Sequence, residues 1–254
     1  MIDFCLVNWS NYKLLDSQLE ALSIFKNKRI LVVDNTPDHL KQPYKNKDKF
    51  DLWVERRHGR WEFDGSSHGQ AINKIVGLAT SDIVCVMDTD FFITYKDCEQ
   101  YIEEVFKMGY DLMGTEWHTC SKSHGDAPEC TEWWKVRFPE TFKDNIPCVF
   151  CCFMKREIAQ SIDFEISQGE VEANRHTNGL VFVGHNLYPY CIENKTKYKT
   201  WRADREKSED WNGEAVSPHN IKTYFIDPVK INVYPYHSAT VEIGYHELGG
   251  SRIS

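Results

Sequence analysis

The chain has 254 residues, a hydrophobic fraction of 41% and an aromatic fraction of 13%, enough to bury a substantial core and to exclude wholesale disorder. Its formal net charge is −8, with 30 basic against 38 acidic side chains, which argues against wrapping nucleic acid, whose phosphates call for clustered Lys and Arg. Mean hydropathy is −0.52, and no window nears the roughly 18 apolar residues that span a bilayer.

The N-terminus, Met1-Ile-Asp-Phe-Cys5, carries no basic, apolar leader pattern. Nine cysteines are an odd number, and Cys5, Cys85, Cys151 and Cys152 sit inside apolar runs, where cysteine acts as a small hydrophobe. Both features fit a reducing compartment, so a cytoplasmic location with no transmembrane segment is expected.

Ile2 to Val7 reads as a strand ending in the polar loop Asn8-Trp9-Ser10-Asn11. Leu14, Leu15, Leu19, Leu22 and Phe25 follow at helical spacing. Ile30 to Val33 is a second strand, stopped by Asp34-Asn35-Thr36-Pro37, and Phe50 to Val54 suits a third. Ala71 to Ala79 predicts a helix, and Ile83 to Met87 a strand buried on both faces, as in a parallel sheet. That strand stops at Asp88-Thr89-Asp90. Lys96 to Met108 predicts a helix, Tyr110 to Gly114 and Val149 to Met154 strands, Lys155 to Ile162 a helix, and Ile231 to Tyr236 a last strand leading into His237.

Alternating strands and helices predict an α/β fold with an open, mostly parallel sheet flanked by helices. In such sheets ligands bind beyond the carboxyl ends of the strands, where Asn8, Asp34 and Asp88 stand. With no repeat or linker, one domain over 1–254 is expected. Its first half, to about residue 95, would bind nucleotide and the remainder an acceptor.

Asp88 and Asp90 can turn toward one cation at a strand end, and carboxylate oxygens suit Mn²⁺ or Mg²⁺. An isolated Asp-x-Asp is usually a solvated turn, so its surroundings decide. The stretch from His68 to Asp90 offers Gly69, then Ala71-Ile-Asn73, a helix closing in Ala79-Thr-Ser-Asp82, an apolar strand, and Asp-Thr-Asp. In that order the stretch resembles the core of GT-A-fold glycosyltransferases, and more closely the family-two type of nucleotide-sugar transferases. Ile30 to Thr36 is similar to the same family's Val-Val-Asp-Asp-Gly-Ser segment. Arg156 and Asp163-Phe164 resemble its acceptor-side segment more loosely.

The resemblance implies a Rossmann-like nucleotide half and roles by position. Asn8, Ser10 and Asp34 would contact nucleobase and ribose, Asp34 accepting from the base. Gly69 would allow close backbone approach and Asn73 would position the pocket. Asp88 and Thr89 would meet the nucleotide, and Asp88 and Asp90 the metal. A late histidine completes the metal site in many such enzymes, so His237 is a candidate ligand; the other reading is a histidine satisfied by a backbone carbonyl. Glu170 and Glu172 are the nearest carboxylates to the expected catalytic base, with an inverting mechanism favoured and a retaining one left open.

The implied activity is metal-dependent transfer of a sugar from a nucleoside diphosphate sugar, UDP foremost, to a hydroxyl on a glycan or other glycoconjugate. Two alternatives stand beside it: a nucleotide- or carbohydrate-binding module without turnover, and a nucleotidyltransferase. The last normally shows a basic glycine-rich loop after the first strand, which Asn8-Trp-Ser-Asn-Tyr12 lacks. His118, Cys120, His124 and Cys130 offer zinc-ligand types at no standard spacing. Trp117, Trp133 and Trp134 suit either a sugar-stacking platform or core packing.

Overall fold

The computed structural model describes residues 1–9, 12–56, 65–89, 91–93, 98–116, 147–165, 184, 186–205, 222–226 and 229–235. The strands are β1 (Ile2–Asn8), β2 (Lys28–Asp34), β3 (Leu52–Glu55), β4 (Ile83–Asp88), β5 (Phe91–Ile93), β6 (Leu112–Glu116), β7 (Pro147–Lys155), β8 (Tyr198–Arg205), β9 (Lys222–Ile226) and β10 (Val229–Pro235). The helices are α1 (Tyr12–Ala21), α2 (Gly65–Gly77), α3 (Cys98–Lys107), α4 (Arg156–Ser161) and α5 (Leu187–Glu193), with short 3₁₀ turns between some elements.

The sheet runs in the order β3-β2-β1-β4-β7-β6-β8-β9-β10-β5. Its first four strands are parallel, as the doubly buried apolar runs predict. Beyond β4 the sheet is mixed: β7 lies antiparallel to β4 and β6, while β6 and β8 are parallel. The expected mostly parallel character therefore holds for β3, β2, β1 and β4. An apolar run buried on both faces looks alike in either direction, so the sense of β7 is not written in its composition.

Side chains alternate faces along a strand, and β1 separates its residues cleanly. Ile2, Phe4 and Leu6 join Leu15, Leu22, Phe25, Ile102 and Val105 in one core layer beneath α1 and α3. Cys5 and Val7 join Ala71, Ile72, Ile75, Ile158 and Leu187 in the other, beneath α2, α4 and α5. At about 25 cal/mol per Å² of apolar surface, these two layers supply the main driving force for folding.

Polar groups tie the elements at their ends. Asp3 is fully buried, and its carboxylate accepts from the Thr80 and Ser81 amides at 2.7 and 3.0 Å and from Ser81 Oγ at 2.6 Å. This fixes the turn leading into β4. Glu99 likewise accepts from the Lys26 and Asn27 amides at 2.7 and 2.8 Å, holding α3 to the start of β2. Gly109 closes α3 with φ +83°, and its N–H donates to the Phe106 carbonyl. Cys5, Cys85, Cys151 and Cys152 are buried thiols, as the apolar runs predict, and Cys98 and Cys191 are buried as well. Among the described residues no helix is long and apolar enough to cross a membrane.

Candidate functional site

The parallel register sets the site. Asn8 lies opposite Asp34 across β1 and β2, Val7 opposite Asp88 across β1 and β4, and Asp34 opposite Glu55 across β2 and β3. One carboxyl edge thus carries an amide and three carboxylates on four adjacent strands. The strand residues before them pack into the two apolar core layers, so these polar groups stand where the strands run out into loops.

Asp34 is the most highly ligated of these residues. Its Oδ1 accepts from Asn8 Nδ2 at 3.1 Å, from the Thr36 amide at 3.2 Å and from Thr36 Oγ1 at 2.5 Å. Its Oδ2 accepts from the Tyr12 hydroxyl at 3.0 Å. A carboxylate offers about four lone-pair positions, two on each oxygen, so the protein fully supplies Oδ1 while Oδ2, met by Tyr12 alone among the described donors, has room for one more. Asp34 is only 2% exposed, and Asn8, Asn35 and Thr36 are fully buried. Burial, with Asp34 alongside, pushes the Tyr12 hydroxyl above its usual range, so it remains a donor near neutrality. Tyr12 also stacks on Tyr44 at 5.2 Å, and Tyr44 on Trp53 at 5.4 Å.

Parity places Asp88 on the opposite face. It follows Val84 and Val86, which pack under α2, whereas Asn8 and Asp34 follow residues that pack under α1. On that face His68 of α2 brings Nε2 to 3.7 Å from Asp88 Oδ1, with both side chains partly exposed. Thr89 is buried, and Gln18 Nε2 donates to its carbonyl at 2.9 Å, anchoring the turn after β4 to α1.

The close approach expected at Gly69 is made to the chain's own backbone. A Cβ there would lie 2.2 Å from the Phe164 carbonyl oxygen and 2.7 Å from Glu165 Cα. Asn73 sits one turn along α2, donating from Nδ2 to Asp163 Oδ1 at 2.6 Å and accepting at Oδ1 from the Phe164 amide at 2.9 Å. Between them Gln70 donates to Glu165 Oε1 at 2.6 Å and accepts from the Arg56 guanidinium. Arg56 also donates to Asn35 Oδ1 at 3.0 Å. Tyr12, Arg56, His68, Gln70 and Glu165 are thus site neighbours that motif reading did not single out. His68 and Gln70 stood inside the quoted motif; the others become visible only through tertiary contact.

Ser10, Asp90, Glu170, Glu172 and His237 lie outside the described residues, as do His118, Cys120, His124, Cys130, Trp117, Trp133 and Trp134. Among the described residues no group of three His, Cys, Asp or Glu side chains is gathered for a metal. Asp88 with His68 nevertheless offers a carboxylate oxygen and an imidazole nitrogen at a partly exposed strand end, a donor pair that fits a first-row divalent ion.

Comparison with known proteins agrees with this architecture. Residues 12–162 match the model of glycosyl transferase family 2, more than half of the chain. No curated protein sequence matches it. Glucosyl-3-phosphoglycerate synthase from Mycobacterium tuberculosis, solved with Mn²⁺, UDP and phosphoglyceric acid, superposes with TM-score 0.52 at 12% identity, covering 80% of this chain and 68% of that one. A mannosyltransferase from Pyrobaculum calidifontis, solved with GDP-Man and Mn²⁺, gives TM-score 0.46 at 11% identity over 78% of this chain and 54% of that one. TarS from S. aureus gives 0.35 at 16% identity over 45% of this chain and 21% of that one. The chain therefore spans about a fifth of TarS and about half of the mannosyltransferase. The expected α/β, GT-A-type fold is the one observed. With the match running from Tyr12 to Ile162, over more than half of its length, the chain belongs to glycosyl transferase family 2.

Proposed function

We propose that the protein transfers a sugar from a nucleoside diphosphate sugar, with UDP the foremost carrier, to a hydroxyl of a glycan or other glycoconjugate, with Mn²⁺ or Mg²⁺ bound. The observation that carries this reading is the register of Asn8, Asp34 and Asp88 at the carboxyl ends of three adjacent parallel strands. Such an edge receives nucleotides in open α/β sheets. The synthase of similar fold was solved with Mn²⁺ and UDP, which supports the same ligand classes here.

Each residue then has a task. Asp34, oriented by Asn8, Thr36 and Tyr12, accepts from the nucleobase through Oδ2, where Tyr12 supplies the only described donor. Asn8 and Thr36 hold the carboxylate rigid, so little ordering cost falls on binding. Asp88, with Asp90 and His237, would hold the cation, and His68 is a further imidazole within reach of Asp88. When bound, a divalent ion offsets the charge that develops on the departing diphosphate. Ser10, Gly69, Asn73 and Thr89 would shape the nucleotide side. Glu172 or Glu170 would take the proton from the acceptor hydroxyl.

The test is direct. Titration of UDP and GDP with Mn²⁺ or Mg²⁺ present should show binding, and UDP-sugars should be turned over with a panel of hydroxyl acceptors. Binding without turnover would favour a nucleotide-binding module. Absence of both would reject the reading.

A further inference from the structure

We infer that Gln70 and Asn73 are positioning residues that fix Asp163–Glu165 against α2, and that Gln70 couples this acceptor-side segment to the strand-end pocket. The coupling to catalysis rests on the function proposed above. The segment has a minimal backbone clearance at Gly69, and its polar groups are taken up by two side chains of the same helix face. Asn73 uses both ends of its amide, donating to Asp163 Oδ1 and accepting from the Phe164 N–H. Asp163 Oδ1 further accepts from the Glu165 amide at 2.9 Å, and Asn186 Nδ2 donates to the Asp163 carbonyl at 2.8 Å. An amide that satisfies a donor and an acceptor at once specifies orientation as well as distance, which a purely apolar contact does not.

Gln70 is the joint between two halves of the molecule. Its Oε1 faces Arg56, whose backbone N–H donates to the Asp34 carbonyl at 3.0 Å and whose guanidinium reaches Asn35. Its Nε2 faces Glu165. A continuous chain of hydrogen bonds thus runs from the residue beside Asp34 through Arg56 and Gln70 to Glu165. The same segment borders an open groove of about 320 Å³ between α2 and α4, lined in part by Asn73, Gln160, Asp163 and Glu165. An acceptor seated beyond this segment would be held relative to the nucleotide by that chain.

The polarity of the relay makes it separable by substitution. Gln70→Glu keeps an acceptor toward Arg56 but removes the donor to Glu165 and sets two carboxylates together. Glu165→Gln removes that repulsion and restores a donor, so the double variant should recover the link that the first single variant loses.

Hydrogen exchange in the ligand-free protein tests the positioning without any need for activity. Asn73→Ala and Gln70→Glu should each speed exchange at the Phe164 and Glu165 amides by about tenfold or more, leaving the β1 and β2 amides unchanged. The double variant should return Gln70→Glu to within about twofold of the parent. Unchanged exchange in both single variants overturns the assignment. Kinetics test the coupling: Gln70→Glu should raise the acceptor KM about tenfold while the donor KM stays within about twofold, and the double variant should reverse it. Equal losses on donor and acceptor, or losses that add in the double variant, overturn it. If the parent protein turns over no nucleotide sugar, the proposed function fails, while the exchange result still decides the positioning.

Discussion

Asn8 and Asp34 face each other at the ends of paired parallel strands, and the Asn8 amide donates to Asp34 Oδ1 at 3.1 Å. Together with Thr36 and Tyr12 it holds in place a carboxylate that is almost wholly buried, leaving one position on Oδ2. Asp34→Ala leaves those donors without their acceptor, so stability should fall by about 1–3 kcal/mol, the cost of unsatisfied buried groups. Nucleotide affinity should fall by a similar margin, about ten- to a hundredfold at 1.4 kcal/mol per decade. Calorimetric titration with UDP checks this; an unchanged affinity at reduced stability would make Asp34 a purely structural carboxylate.

Two glycines of α2 supply opposite predictions for one substitution. At Gly69 an added methyl meets the Phe164 carbonyl at 2.2 Å, a backbone atom that cannot swing aside. Gly69→Ala should cost about 1–3 kcal/mol, as overpacking does. At Gly77 the same methyl meets nothing within 4 Å. Gly77→Ala should stabilise by about 0.4–1 kcal/mol by restricting the unfolded chain. Urea unfolding of the two variants measures both signs, and a Gly69→Ala protein as stable as the parent would show that Phe164 can move away.

Acid stability has a local contributor at Asp111. Burial raises its carboxyl, but the Lys155 ammonium at 2.7 Å and the Lys197 amide at 2.9 Å outweigh that and leave it below its ordinary 3.8. A depressed carboxylate adds stability above its unfolded value, and that stability is lost as pH falls through the folded one. The pair is partly exposed, so the contribution is about 0.5–1 kcal/mol after solvent screening. Asp111→Asn should lose this amount at pH 7 and converge on the parent as the pH falls from 3.8 through the folded value. Chemical denaturation along this pH series checks it; an equal deficit throughout would assign the loss to hydrogen bonding alone.

The sequence makes some of these relationships legible and hides others for physical reasons. β1, β2 and β4 announce themselves because both faces are buried and residues 4–7, 30–33 and 83–87 are apolar up to a polar stop. α2 begins at Gly65, earlier than its apolar period suggests, because Gly65-Ser-Ser-His-Gly69 contributes no apolar stripe. β8 reads Tyr198-Lys-Thr-Trp-Arg-Ala-Asp-Arg205, too polar to stand out, and is defined by pairing with β6 and β9. α5 carries Pro189 in its first turn, which helices tolerate there but which interrupts a pattern search. The motif from Gly69 to Asp88 was readable as a unit, and so was Asp34. The partners of its amides were not, because Arg56, Gln70 and Glu165 are joined only by the fold.

The last prediction concerns His68, whose Nε2 lies 3.7 Å from Asp88 Oδ1 on the α2 face of the sheet edge. That separation exceeds a hydrogen bond, and both side chains are partly exposed, at 32% and 23%. Such a pair contributes little to folding, so its proximity is better suited to a shared ligand than to structural support. His68→Ala should leave the melting temperature of the metal-free protein within about 4 °C, because an exposed pair is worth at most about 1 kcal/mol. It should nevertheless raise the Mn²⁺ concentration needed for half-maximal UDP binding about tenfold, the lower range for loss of a group supporting a metal ligand. Asp88→Ala should remove the Mn²⁺ dependence altogether. Running Asp90→Ala and His237→Ala in the same titration ranks the candidate ligands without assuming turnover. Early melting of metal-free His68→Ala, with a normal Mn²⁺ response, would instead make His68 a structural partner of Asp88 and leave the imidazole ligand to His237.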